Sequence, residues 1–324
     1  MLSFLFATQL VAQSGRRATP PSSSQPIPSK SQVQPKRKAR PPIEDNAEDD
    51  VLMVSSNLVP LLVSVTGKDG SAIRDLRLED FELRVDGQVK KIRELSRAET
   101  PVRLLLLFDN SSSLSIARDM EKRAAIEFFR HVMRPGIDKA AILSIGSRPL
   151  LEQAWTDNLA ALEQTIKGFG KPEGATALLD TIAYAADYLK NENGRRVIII
   201  VSDGADTISR TNFETALKRI QASSCQVYSI QTGQSDNLNL HDLVADRRSK
   251  ELAAQTGGAV YAPVTSSDLN AAYTRIAAEL AEQYVLSYYP EESPVSAGRF
   301  HQITLRVQSR TEAQVRTRKG YFEL

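Results

Sequence analysis

The stretch Leu104–Ser113 reads LLLLFDNSSS. An unbroken apolar run turns abruptly into an acid, an amide and three hydroxyls. Such a run, with no polar alternation, suits a strand covered on both faces, as in a parallel sheet. A helical pattern follows. In IARDMEKRAAIEFFRHVM, the residues Ile116, Met120, Ala124, Phe128 and Val132 share one face. Strand, polar loop and helix together open a parallel α/β unit. The loop itself has two readings. Asp and Ser side chains cap helix N-termini by accepting backbone N–H bonds. The same oxygens can hold a hard cation.

The pattern continues downstream. AAILSIG and LLEQAW read as strands, and NLAALEQTIKGF and TALLDTIAYAADYLK as two helices with no strand between them. RVIIIVSDG is a second buried strand, followed by the helix NFETALKRIQAS and the strand CQVYSIQTG. RRSKELAAQTGG, AVYAPV and DLNAAYTRIAAELAEQY continue as helix, strand and helix. Strands alternating with helices predict a mostly parallel sheet with helices on both faces.

The flanks have a different grammar. FELRV alternates apolar with polar, and Asp86-Gly87 then turns the chain into QVKKI, a hairpin signal. After Tyr284 the sequence is β-like again through YVLSYYP, FHQITLRV and AQVRTRKGYFEL. Neither flank is large enough to stand alone. The expected organisation is an α/β domain over 101–283 inserted into a small β-sandwich-like domain built from 51–100 and 284–324. Insertion is easy because a parallel-sheet domain that starts with a strand and ends with a helix has both ends at one pole. Residues 14–50, rich in Pro, Ser and charge, cannot bury enough apolar surface to offset their ordering entropy and read as a disordered linker. The segment 1–13, within MLSFLFATQLVAQS, resembles the apolar core and cleavage region of a secretory signal peptide without its basic leader. It predicts a secreted or periplasmic protein.

Bulk properties narrow the function. The 324 residues allow about two domains. A net charge of +2 gives no global field toward nucleic acid or an anionic membrane. No run has the length of a membrane-spanning helix. Cys225 is the single cysteine, so no internal disulfide forms; it opens an apolar strand and reads as a buried inert thiol. His131, His241 and His301 lack zinc spacing. Trp155 reads as core or edge packing. GFGKPEG has the wrong glycine spacing for a phosphate loop and follows a helix rather than a strand.

In open α/β sheets, ligands bind beyond the carboxyl ends of the strands. Three polar loops are expected there. DNSSS brings Asp109, Ser111 and Ser113, GAT brings Thr176, and SDG brings Asp203. All five are oxygen donors, which suits Mg²⁺, or Mn²⁺ or Ca²⁺. Each has an ordinary alternative as a cap or turn residue; their conjunction favours a metal.

On these residues the chain from about Val102 to Gln283 resembles a von Willebrand factor A domain, whose Asp-x-Ser-x-Ser, Thr and Asp pattern forms a metal-ion-dependent adhesion site. The flanking LRLEDFELRVDGQVKKI and RTRKGYFEL resemble a secreted bacterial group related to it. The resemblance implies a Rossmann-like fold. It implies that Ser111 and Ser113 bind the metal directly, that Thr176 joins in one conformational state, and that the aspartates act mainly through water. It also implies a protein partner whose Asp or Glu carboxylate completes the metal shell. Neutral hydroxyl ligands quench little of the cation's charge, which favours capture of a carboxylate. A hydrolase would need a base to activate water, and none is evident in these loops, so no enzymatic activity is expected. A second reading is a structural scaffold in which the β domain or the linker makes the contacts and the metal is incidental.

Overall fold

The computed structural model describes residues 58–97, 99–110, 118–170, 174–232, 240–290 and 298–323. The signal-like segment 1–13, the linker 14–50, and Ser111 and Ser113 lie outside the described residues.

Four strands come first: β1 (Val59–Thr66), β2 (Phe81–Val85), β3 (Gln88–Lys90) and β4 (Ile92–Arg97). The α/β unit follows with β5 (Val102–Asp109), α1 (Arg118–Val132), β6 (Lys139–Ile145), β7 (Leu150–Thr156), α2 (Leu159–Gly168) and α3 (Leu178–Leu189). It continues through β8 (Arg195–Ser202), α4 (Phe213–Ala222), β9 (Gln226–Gln231), α5 (Leu240–Thr256), β10 (Val260–Tyr261) and α6 (Ser266–Glu282). The chain closes with β11 (Tyr284–Tyr288), β12 (Phe300–Val307), β13 (Gln314–Arg316) and β14 (Gly320–Phe322).

The central sheet has the order β10-β9-β8-β5-β6-β7. It is parallel except for β7, which runs antiparallel to β6 at the edge. Burial explains why β5 and β8 read as continuous apolar runs. Leu104, Leu106, Phe108, Val197 and Ile199 face one layer with α1, α2 and α6. Leu105, Leu107, Ile198 and Ile200 face the other with α3, α4 and α5. The chain leaves β5 for β6 on one side and returns to β8 on the other. The strand order therefore reverses between β5 and β8, and the crevice beyond their carboxyl ends is the place where such sheets take ligands.

The two flanks pair with each other. β1 and β4 both lie against β11, and β2 lies against β12, all antiparallel. The resulting four-stranded sheets, β13-β1-β11-β4 and β14-β12-β2-β3, share a core that includes Leu61, Val63, Leu83, Leu286 and Ile303. Asp86 and Gly87 both have positive φ, at 50° and 80°, the backbone of a tight hairpin turn between β2 and β3.

Arg195 shows that the α/β unit starts and ends at one pole. Its guanidinium donates to Thr100 O at the start of the unit and to Leu280 O and Gln283 Oε1 at its end, at 3.2, 2.6 and 3.2 Å. Burial pulls its pKa down to about 10.

Other sequence readings can be placed. Cys225 is buried. Trp155 is half-buried at the sheet edge, its ring stacked on Tyr188 at 5.3 Å. His301 pairs with Asp86 at 2.8 Å and stacks on Tyr321. Among the described residues no helix is long and apolar enough to cross a membrane.

Candidate functional site

Asp109 ends β5 and is 1% exposed. Its Oδ2 accepts a 2.5 Å hydrogen bond from the Ser202 hydroxyl at the end of β8. Ser202 Oγ in turn accepts from Gly204 N at 3.0 Å. Asp203 lies between these two residues, half-buried, and its Oδ1 accepts from Ala205 N at 2.9 Å. The loop turns here because Gly204 has φ +82°, and a Cβ at that position would sit 3.1 Å from Ala245 Cβ on α5. The hydroxyl of Ser202 thus couples the first predicted loop to the third.

The second loop is tied to the third as well. Thr176, 4% exposed, donates its amide to Thr207 Oγ1 at 2.9 Å, and its carbonyl accepts from Thr207 N at 2.9 Å. Asp180 at the start of α3 accepts from the amides of Arg210 and Thr211 at 3.1 and 2.8 Å. Asp206 accepts from Leu179 N at 3.3 Å. The segment after Asp203 is therefore stitched along the N-terminus of α3, which holds Thr176 beside it. Of the five predicted donors, Asp109, Thr176 and Asp203 fall on loops joined in this way at one end of the sheet; Ser111 and Ser113 lie outside the described residues.

Two charged groups under the site were not singled out in the sequence. Arg118, 5% exposed, donates to Asp109 O and to Asn110 Oδ1. Its guanidinium lies over the rings of Phe108 and Phe169, 4.9 and 5.6 Å from their centroids. Burial lowers its pKa, and the charges of Glu121 and Asp109 oppose that shift. Glu121, one turn along α1, is 1% exposed. Burial raises its pKa, and the carboxylates of Asp109 and Asp203 push the same way; Thr232 and Arg118 hold it back. A signal for Glu121 was present in the sequence. It stands three, four and seven residues before Ala124, Ala125 and Phe128, on the apolar face of its helix.

The donor chemistry fits a hard divalent cation. Asp109 and Asp203 act on Glu121 by charge, and Arg118 is the compensating cation beside it. The oxygen donors Asp109, Thr176 and Asp203 are of the kind that suits Mg²⁺, Mn²⁺ or Ca²⁺.

Residues 104–205 match the family model of the von Willebrand factor type A domain, a span that includes all five predicted donors. No curated protein matches the sequence. Among solved structures, an aerotolerance-related membrane protein from Bacteroides fragilis is 18% identical, with a TM-score of 0.43, covering 55% of this chain and 98% of that one. The PilB minor pilin from Streptococcus sanguinis is 11% identical, with a TM-score of 0.47, covering 58% of this chain and 62% of that one. The von Willebrand factor domain of the type V pili tip protein Mfa5 from Porphyromonas gingivalis is 14% identical, with a TM-score of 0.46, covering 55% and 94%. Over residues 104–205, then, this chain is similar to the von Willebrand factor type A domain.

Proposed function

We propose that this protein is a non-enzymatic, cation-dependent binding module that captures a carboxylate of a protein partner. Asp109, Ser111, Ser113, Thr176 and Asp203 would hold Mg²⁺, or Mn²⁺ or Ca²⁺. The observation that carries this reading is the coupling of the β5 and β8 exits through Ser202 at the point where strand order reverses. When bound, the cation supplies a Lewis-acidic position for an incoming Asp or Glu side chain. The protein's own part is to fix the donor loops: Ser202 orients Asp109, Gly204 allows the turn beside Asp203, and Thr207 holds the backbone of Thr176. Such preorganised, partly desolvated charge is what makes a charge-assisted contact specific. The apolar N-terminus MLSFLFATQLVAQS supports a place outside the cytoplasm.

Calorimetric titration of Mg²⁺ and Mn²⁺ tests the site. The unaltered protein is expected to bind one cation per chain, and Asp109→Ala to bind none while keeping its circular dichroism spectrum. Absence of binding to the unaltered protein refutes the reading. Partner capture that persists in EDTA and in Asp109→Ala would assign the contacts to the β sheets or the N-terminal segment instead.

A further inference from the structure

Glu121 is buried in an unusual way. Both of its carboxylate oxygens are shielded from solvent, and the Thr232 hydroxyl is their side-chain hydrogen-bonding neighbour. Two hydroxyls are buried in the same layer: Thr232 Oγ1, just beyond the end of β9, and Tyr273 Oη on α6. Thr232 is 5% exposed and Tyr273 3% exposed. The amide of Thr232 donates to Ser202 O at 3.1 Å, so its side chain belongs to the same strand-end layer as Ser202. A carboxylate in such a place is costly, since one hydroxyl replaces only part of the hydration that burial removes. Arg118 offsets part of this, but it is engaged with Asp109 O and Asn110 Oδ1. A divalent cation between the β5 and β8 exits would offset the rest.

We propose that Glu121 is a further anionic group of the cation site, which raises its affinity for a divalent ion and makes the stability of the domain depend on occupancy. The inference rests on the reading of Asp109, Thr176 and Asp203 as a cation site. Glu121 acts here by charge through the buried layer, not as one of the five donors. A unit charge within several ångströms of a divalent ion, in a poorly hydrated layer, changes affinity by about tenfold or more. The same charge, with the ion removed, faces Asp109 and Asp203 and favours a looser state.

The test is thermal unfolding of the full chain in EDTA and in excess MgCl₂, alongside Mg²⁺ calorimetry. The proteins are the unaltered chain, Glu121→Gln, Glu121→Asp and Asp109→Ala. Glu121→Gln should unfold in EDTA at a temperature no lower than the unaltered chain. It should gain less from Mg²⁺, and bind it about tenfold or more weakly. Glu121→Asp keeps the charge and should keep most of the Mg²⁺ response. Equal Mg²⁺ responses in the unaltered chain and Glu121→Gln overturn this inference and leave the site reading standing. Failure of Glu121→Gln to fold in EDTA also overturns it, because that outcome marks Glu121 as structural. No Mg²⁺ response in the unaltered chain overturns the site reading, and this inference with it.

Discussion

Ser202 donates a 2.5 Å hydrogen bond to Asp109, and both side chains are 1% exposed. Neither residue is near the other in sequence; the pairing of β5 with β8 through Phe108 and Val201 brings them side by side, and the bond orients the Asp109 carboxylate. Ser202→Ala removes that donor and also the acceptor for Gly204 N. Weakening the pairing of two buried polar groups costs about 1–3 kcal/mol. Urea denaturation of Ser202→Ala in EDTA should show a loss in that range with an unchanged m-value. Mg²⁺ affinity should fall too, because Asp109 loses its orienting partner.

The central sheet was legible because burial on both faces leaves no polar residue inside LLLLF or VIIIV, and the helices between them carry apolar stripes. The β2–β3 hairpin was legible from Asp86-Gly87 alone, since that pair suits two consecutive positive φ angles. Asp109, Thr176 and Asp203 could be placed because each follows or precedes a long apolar element. Glu121, Ser202 and Thr232 were passed over for a physical reason. Their significance comes from what they meet across the sheet, and no local pattern encodes those meetings. Even the polar residue on the apolar face of α1 reads only as an irregularity until the neighbours of Glu121 are known.

Asp138 gives the fold a dependence on acid. Burial pulls its pKa upward, but hydrogen bonds from the Arg134 side chain and from the amides of Val102 and Arg134 prevail, and the pKa is lowered. Arg134 reaches both carboxylate oxygens at 2.8 Å, and Val102 N donates at 2.7 Å. A lowered folded-state pKa means the unfolded chain binds the proton more readily. The stabilisation is therefore complete above the unfolded value, about 3.9, and is lost as pH falls through the lower folded value. Asp138→Asn should be less stable at pH 7 and should lose less on going from pH 5 to pH 3. Denaturant titrations at those pH values measure the difference.

Glu279 joins the β sheets to the α/β unit. Its Oε1 accepts from Ser64 Oγ at 2.5 Å and from Tyr228 Oη at 2.7 Å, and its Oε2 pairs with Arg316. Gln283 extends the network, donating to Ser64 Oγ and Gln226 Oε1 at 3.1 and 2.8 Å. Truncation of one partner leaves the other charge uncompensated, which costs about 3 kcal/mol or more for a buried pair. Glu279→Ala should therefore be strongly destabilised in equilibrium unfolding. The double variant Glu279→Met/Arg316→Met removes both charges and should recover much of the loss. A double variant as unstable as Glu279→Ala would mean that Ser64 and Tyr228, rather than the ion pair, depend on this carboxylate.

Cys225 reports on opening of the whole domain. The thiol is 3% exposed, accepts from Ser223 Oγ at 3.0 Å, and burial pushes its pKa up to about 12. At pH 8 the folded protein therefore carries almost no thiolate, and alkylation requires unfolding, where the thiol returns to an ordinary value of about 8.5. The raised folded-state pKa sets the sign of the alkaline response. Its contribution to stability is complete below about pH 8.5 and declines as pH rises toward about 12, because the unfolded chain loses the proton first. Iodoacetamide labelling at pH 8 should follow the denaturation curve, and added Mg²⁺ should slow it in proportion to the stability gained. Labelling that outruns global unfolding would show that the layer around Ile220 and Val227 opens locally.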